Sequence, residues 1–270
     1  MKSNKSLQEK TALITGASGG IGAAITRQLA SEGMHVILVA RRIEIMETLA
    51  QEIESLGGRA TVIPADLSDE VERKRVHDQV ISQFGHLDIL INNAGFGWYG
   101  YTQDMPWSLA LDMLRVNISA VVQLTMMFLP AMRKRNKGHI INIGSVAGSI
   151  PSQGVALYSA TKAFINSFTT SLYRETSNSR VRVSVVRAGP VTTEFFRTLN
   201  KKQSKMLDLV EHLGVSPQRI ARSVWNLILH PKRKIYVPGW MGVVPFIEFA
   251  FGWIMDRIGP LDLKKQTVLN

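Results

Sequence analysis

Tyr158 and Lys162 stand four residues apart in the run Tyr158-Ser-Ala-Thr-Lys162, a spacing that sets both side chains on one face of a helix. A free tyrosine titrates near ~10 and exchanges protons poorly at neutral pH. A neighbouring ammonium stabilises the phenolate and lowers that value, which suits Tyr158 to general acid/base work. Ser145 closes the apolar run HIINIGS and can hydrogen-bond an oxygen on which charge develops. Taken singly these residues are ordinary, because Tyr and Lys at this spacing are common surface neighbours and Ser commonly ends strands.

A second group lies near the N-terminus. The run Thr15-Gly-Ala-Ser-Gly-Gly-Ile-Gly22 follows a short apolar segment and has the spacing Gly16-x3-Gly20-x-Gly22. Gly16 lets the chain turn sharply out of a strand, Gly20 lets backbone approach a pyrophosphate, and Gly22 lets a helix pack closely on a sheet. The helix N-terminus then offers oriented N–H groups to the anion. The run is a variant of the dinucleotide fingerprint, with Ser18 and Ile21 as its further cofactor contacts. The next apolar run ends in Ala40-Arg41-Arg42, where an acidic residue would bind a ribose 2′-hydroxyl. A guanidinium grips a 2′-phosphate instead, so NADP(H) is the expected cofactor, with Arg41 as the fork and Arg42 as added charge.

TGASGGIG, Asp66-Leu67, Asn92-Asn93-Ala94-Gly95, Asn117, Ser145 and Tyr158-Ser-Ala-Thr-Lys162 together resemble the short-chain dehydrogenase/reductase family. The likeness runs over roughly residues 8 to 240. It implies a catalytic tetrad of Asn117, Ser145, Tyr158 and Lys162, in which Asn117 holds a water in a proton relay and Lys162 also binds the nicotinamide ribose. It further implies that Asp66 and Leu67 flank the adenine, that Asn93, Ala94 and Gly95 line the cofactor groove, and that Val191 and Thr193 touch the nicotinamide amide or diphosphate. The segment Ala188-Gly-Pro-Val-Thr-Thr193 departs from the family pattern at Ala188, where Pro is usual, which loosens the expected turn.

The elements that must position these groups alternate along the chain. Strands are expected at 11–15, 35–40, 60–66, 87–95, 139–145, 181–189 and 234–239. Helices are expected at 20–32, 42–56, 69–84, 106–135, 157–177 and 217–229, from apolar spacing and from Gly and Pro at the ends. Strands separated by helices pair in parallel. The predicted fold is therefore α/β, a doubly wound parallel seven-stranded sheet of the Rossmann type in a single domain. Residues 1–240 form the dinucleotide-binding and catalytic unit, and 241–270 an apolar tail continuous with it.

Composition bounds the rest. The 270 residues carry a formal charge of +11 and no cysteine, which rules out disulfides and thiol-ligated metals, and no metal site is expected. Residues 1–179 hold 17 basic against 15 acidic side chains, whereas 180–270 hold 15 against 6. Such a basic last third suits an anionic partner or is a solvated face. Nucleic acid is not expected, since no recognition motif accompanies the charge. The first ten residues have no apolar core for a secretory leader, and no run reaches the roughly 18–20 apolar residues of a spanning helix. The expectation is a cytoplasmic enzyme, with membrane association through the tail held open.

The substrate is expected to be a carbonyl or alcohol compound of hydrophobic character: a fatty-acyl chain, a steroid-like ring and an aromatic ketone all fit. Phe195, Phe196 and Leu199 offer one apolar wall, and Gly97, Trp98, Tyr99, Tyr101 and Trp107 another. The tail from Pro238, with Trp240, Phe246, Phe249, Phe251 and Trp253, is a lid, a subunit interface or a membrane-interface segment. The family likeness implies a homodimer or homotetramer built through the helices at 106–135 and 157–177. A rival reading is a non-catalytic dinucleotide sensor on the same fold.

Overall fold

The computed structural model describes residues 8–191 and 214–267. Seven parallel strands form one sheet in the order β3-β2-β1-β4-β5-β6-β7. They are β1 Thr11–Thr15, β2 His35–Ala40, β3 Arg59–Pro64, β4 Ile89–Asn92, β5 Gly138–Ser145, β6 Val181–Ala188 and β7 Lys234–Val237. The strands in the middle of the sheet are buried along almost their whole length, which is why their sequences are continuous apolar runs rather than alternating ones. Strand order reverses between β1 and β4, and it is beside such a reversal that open α/β sheets form a crevice at their C-terminal edge.

Helices cover both faces: α1 Gly20–Ser31, α2 Ile43–Ser55, α3 Glu70–Phe84, α4 Trp107–Leu114, α5 Ala120–Lys134, α6 Ala156–Glu175 and α7 Pro217–Leu229. On one face Ile25 and Leu29 of α1 pack with Ile220 and Val224 of α7. On the other, Leu124, Phe128 and Met132 of α5 join Val76 and Val80 of α3. Their ends follow local chemistry. Asp69 caps α3 by accepting from the Val71 N–H at 2.8 Å, and Gly85, with φ of 70°, ends it. Ser216 caps α7, with Pro217 at its first turn.

The largest departure from the sequence reading is in 106–135. The helical path there is continuous, but Arg115–Ser119 between α4 and α5 is a π turn. A single inserted residue leaves the apolar pattern almost unchanged, so periodicity does not reveal it. By length and composition Trp107–Lys134 could also cross a membrane, contrary to the sequence expectation. Its apolarity has a different cause, because Val121, Leu124, Phe128 and Met132 are buried in the protein core. After β7 the chain makes a 3-10 turn, Gly239–Val243, and a last helix, α8 Val244–Thr267.

Candidate active site

The glycine run leaves β1 at the reversal point. Gly16 has φ of 66° and Gly20 of 53°, both in the left-handed region that a side chain disfavours. A Cβ on Gly16 would sit 2.9 Å from the Ala94 backbone, and one on Gly22 would collide with the Gly16 carbonyl. The glycines are therefore required by the close approach of α1 to its own loop and to the segment after β4. Gly19 occupies the N-cap of α1 with no side-chain hydrogen bond, and the first turn carries no acidic residue. Its leading N–H groups and positive dipole end are thus arranged for an anion.

Thr15 ties the two sides of the crevice together. Its hydroxyl accepts from the backbone N–H of Asn93 and of Ala94, both at 2.9 Å, and the Asn93 amide donates back to the Thr15 carbonyl at 2.9 Å. The sequence reading did not single out Thr15, and the only signal was a hydroxyl at a strand end. Beneath the crevice lies a buried polar chain: the Asn92 amide donates to Asn142 Oδ1 at 2.8 Å, and the Asn142 amide to Thr169 at 2.8 Å. Asn92 and Asn142 are register partners on β4 and β5, a pairing invisible until the sheet order is known.

Arg42 is the N-cap residue of α2, one position before the helix that the sequence reading began with it. Its guanidinium reaches back across the glycine loop, donating to Ser18 Oγ at 3.2 Å and to the Ser18 carbonyl at 3.0 Å. A Cβ on Gly19 would lie 2.9 Å from that guanidinium, so a side chain there would push the arginine tip aside. Arg41 instead points to Asp66, 4.0 Å away, and is 77% exposed. Burial works to raise the Asp66 carboxyl, but the hydrogen bonds from Ser68 and the Arg41 charge outweigh it and hold it below its usual range. The Leu67 side chain belongs to the core, and its carbonyl accepts from buried Arg73 at 2.7 Å.

Ser145, Tyr158 and Lys162 meet where β5 ends against α6. The Ser145 hydroxyl hydrogen-bonds Tyr158 and accepts from the Ala147 N–H at 3.1 Å. Lys162 Nζ donates to the Ile143 carbonyl at 3.0 Å and lies 5.7 Å from the centre of the Tyr158 ring. Asn117, on the π turn, is brought to the same place. A Cβ on Gly95 would stand 3.0 Å from Asn117 Oδ1 and 3.6 Å from Lys162 Nζ, so Gly95 lets the two side chains crowd this segment closely.

The Asn117 side chain is engaged as a clamp. Its amide donates to the Phe96 carbonyl at 2.9 Å and to Thr161 at 3.1 Å, while its oxygen accepts from the Phe96 N–H at 3.1 Å. Both N–H donors are used in this clamp, while Oδ1 keeps a second lone pair.

Electrostatics differ from the sequence expectation. Burial pushes the Tyr158 hydroxyl up to about 12, with the Ser145 hydrogen bond pulling the other way. Burial also lowers Lys162 to about 8. Lys162 does not offset the burial of Tyr158: its ammonium donates to the Ile143 carbonyl, and desolvation weighs on both groups.

Val191 is buried, forms an isolated parallel bridge with Val215 and has a core side chain. Thr193, Phe195, Phe196 and Leu199 lie outside the described residues. Ala188 sits inside β6, paired to Ser145 and Val237, so the turn begins one residue later. Gly189 donates to the Val237 carbonyl at 2.9 Å and packs on Met241, which fixes the turn that Ala188 was expected to loosen. On the aromatic wall Tyr99 lies against Gly154, four residues before Tyr158, whereas Trp107 is 72% exposed.

The chain is similar to known proteins over most of its length. Residues 10–204 fit the model of the short chain dehydrogenase family. An uncharacterized oxidoreductase of Mycobacterium tuberculosis is 34% identical over 281 residues, covering 99% of this chain and 76% of that protein. Among solved structures, a metagenomic short-chain oxidoreductase in complex with NADP is 33% identical with a TM-score of 0.73, over 84% of this chain and 95% of that one. A 3-ketoacyl-(acyl-carrier-protein) reductase from Brucella melitensis complexed with NADH is 26% identical with a TM-score of 0.75, over 84% and 96% of the two chains. A match that begins at the first strand and takes in the glycine loop, β5 and α6 covers well over half of the sequence, and the chain belongs to the short-chain dehydrogenase family of oxidoreductases.

Proposed function

We propose that the chain is an NADP(H)-dependent reductase of hydrophobic carbonyl compounds, with Tyr158 as general acid/base. The observation that carries the reading is the meeting of Ser145, Tyr158 and Lys162 at the end of β5, beside a glycine cradle that fits a dinucleotide. The fit rests on the left-handed Gly16 and Gly20, the uncapped start of α1 and the buried Lys162. When bound, the dinucleotide supplies the hydride. Tyr158, neutral with its hydroxyl pushed up to about 12, gives its proton to the carbonyl oxygen. Ser145 donates a hydrogen bond to that same oxygen and stabilises the charge that develops there. Lys162, cationic below about 8, stabilises the phenolate left on Tyr158. Asn117 holds the Phe96 segment and Thr161 in register with them.

The arginines support NADP(H) over NAD(H), and the reach of Arg42 over the glycine loop favours it as a partner of the 2′-phosphate beside the expected Arg41. Arg42 already spans the glycine loop, while Arg41 shares its charge with Asp66. A charge-assisted bond to a phosphate contributes about 1.5–3 kcal/mol, roughly ten- to a hundredfold in affinity. Titration of NADPH and NADH into the wild type and Arg42→Ala tests it. The expected result is tighter NADPH binding that falls by that factor in the variant, with NADH unchanged; equal binding of the two cofactors by the wild type refutes it. Turnover of NADPH against a panel of apolar ketones and acyl compounds tests the reaction itself. Met126, Phe164 and Tyr173 are exposed on α5 and α6, which supports assembly through these helices.

A further inference from the structure

We propose that α8 docks the protein onto an anionic lipid bilayer as an in-plane, one-leaflet anchor. The helix leaves its apolar side chains in solvent: Phe249 is 93% exposed, Phe246 73% and Trp253 60%, with Ile247 and Phe251 also exposed. At 100° per residue, Phe246, Ile247, Phe249, Ala250, Phe251 and Trp253 spread over roughly 200° of the helix surface. Glu248, the only ionisable residue between Val244 and Met255, stands opposite the middle of that arc, with its Oε2 buried. An arc this wide exceeds the stripe that a single partner helix covers, which is about two positions in seven. A fluid apolar phase covers it completely. The apolar stretch from Val244 to Ile254 is only about 16 Å long, too short for the ~30 Å of a bilayer core, so it lies along one leaflet.

The flanks fit the headgroup region of that leaflet. Trp240 and Trp253, both exposed, are of the type that settles where hydrocarbon meets headgroups. Lys232-Arg233-Lys234 precede the stretch and Arg257, Lys264 and Lys265 follow it, within a last third that holds 15 basic against 6 acidic residues. That sign matches an anionic surface. Docking there has a consequence for the site. Met241, in the turn leading to α8, is buried against Gly189 at the end of β6, so the bilayer lies beside the C-terminal edge of the sheet where Ser145 sits.

The test uses the full chain and vesicles of phosphatidylcholine with and without phosphatidylglycerol. The protein is expected to co-sediment with the anionic vesicles, more weakly with the neutral ones and more weakly as salt is raised. Phe246→Glu and Phe249→Glu are each expected to cut vesicle partitioning about tenfold while leaving the melting curve unchanged. Failure of the wild type to bind anionic vesicles overturns the proposal, as does equal binding by wild type and both variants. A soluble dimer that does not bind vesicles and is dissociated by Phe249→Glu also overturns it, in favour of a second copy on this face.

Discussion

Around α6 the molecule buries groups that water would hold better, and along α8 it exposes groups that water holds worst. Lys162 is only 7% exposed and donates to a backbone carbonyl, whereas Phe249 is almost entirely in solvent. Each arrangement opposes folding. A desolvated ammonium costs free energy through its lowered pKa, and an apolar arc left wet forfeits the burial that a Phe normally contributes. The lesson is in the asymmetry between them. The α6 region is over-determined: Asn117 donates to the Thr161 hydroxyl, Thr161 to the Tyr158 carbonyl and Asn166 to the Ser145 carbonyl, so its buried groups are held in place by neighbours. The α8 region is under-determined, since among the described residues little besides the Gly239–Val243 turn packs on it, and its apolar groups have their use outside the chain.

The largest effect expected from breaking the first region is on turnover. Tyr158→Phe removes the proton donor and is expected to lower kcat by about 10²–10⁴, with dinucleotide binding unchanged in a titration. A variant with wild-type turnover would end the assignment of Tyr158. Next comes Lys162→Met, which is expected to lose activity and gain stability together. Burial lowers Lys162 from 10.5 to about 8, so as pH falls from 10.5 to 8 the unfolded chain takes up a proton that the folded chain does not. The folded state therefore loses up to about 3 kcal/mol across that window, and the full penalty stands at neutral pH. Leaving the Ile143 carbonyl unbonded offsets about 1 kcal/mol of the gain. Calorimetry should find Lys162→Met more stable than wild type by about 2 kcal/mol near pH 7, the difference shrinking between pH 8 and 10.5. An unchanged or lower Tm at neutral pH would mean that Lys162 is not a buried liability.

The smallest effect belongs to α8 and sharpens the contrast. Phe249→Ser is expected to change unfolding free energy by no more than about 0.5 kcal/mol, because a side chain already in water has no packing to lose. Denaturant unfolding decides it: a destabilisation beyond about 1 kcal/mol would place Phe249 in a packed interface and remove the distinction between the two regions.

The sequence by itself determined the order of the strands and main helices, the parallel sheet and the candidate residues of a site. Apolar runs bounded by Gly and Pro are local signals, and Tyr158 and Lys162 need only the helical period to share a face. Glycines at 16, 20 and 22 were legible for the same reason, since a tight turn states its needs within a few residues. What only the tertiary structure decided depends on chain segments far apart in sequence. The π turn at Arg115–Ser119 carries Asn117 to Phe96 and Thr161, and Thr15 meets Asn93 only because β1 and β4 are neighbours. The reach of Arg42 over Ser18, the raised hydroxyl of Tyr158 and the exposure of α8 follow from which surfaces close on each other and how much water remains. Burial and electrostatics belong to the assembled chain, and no local pattern encodes them.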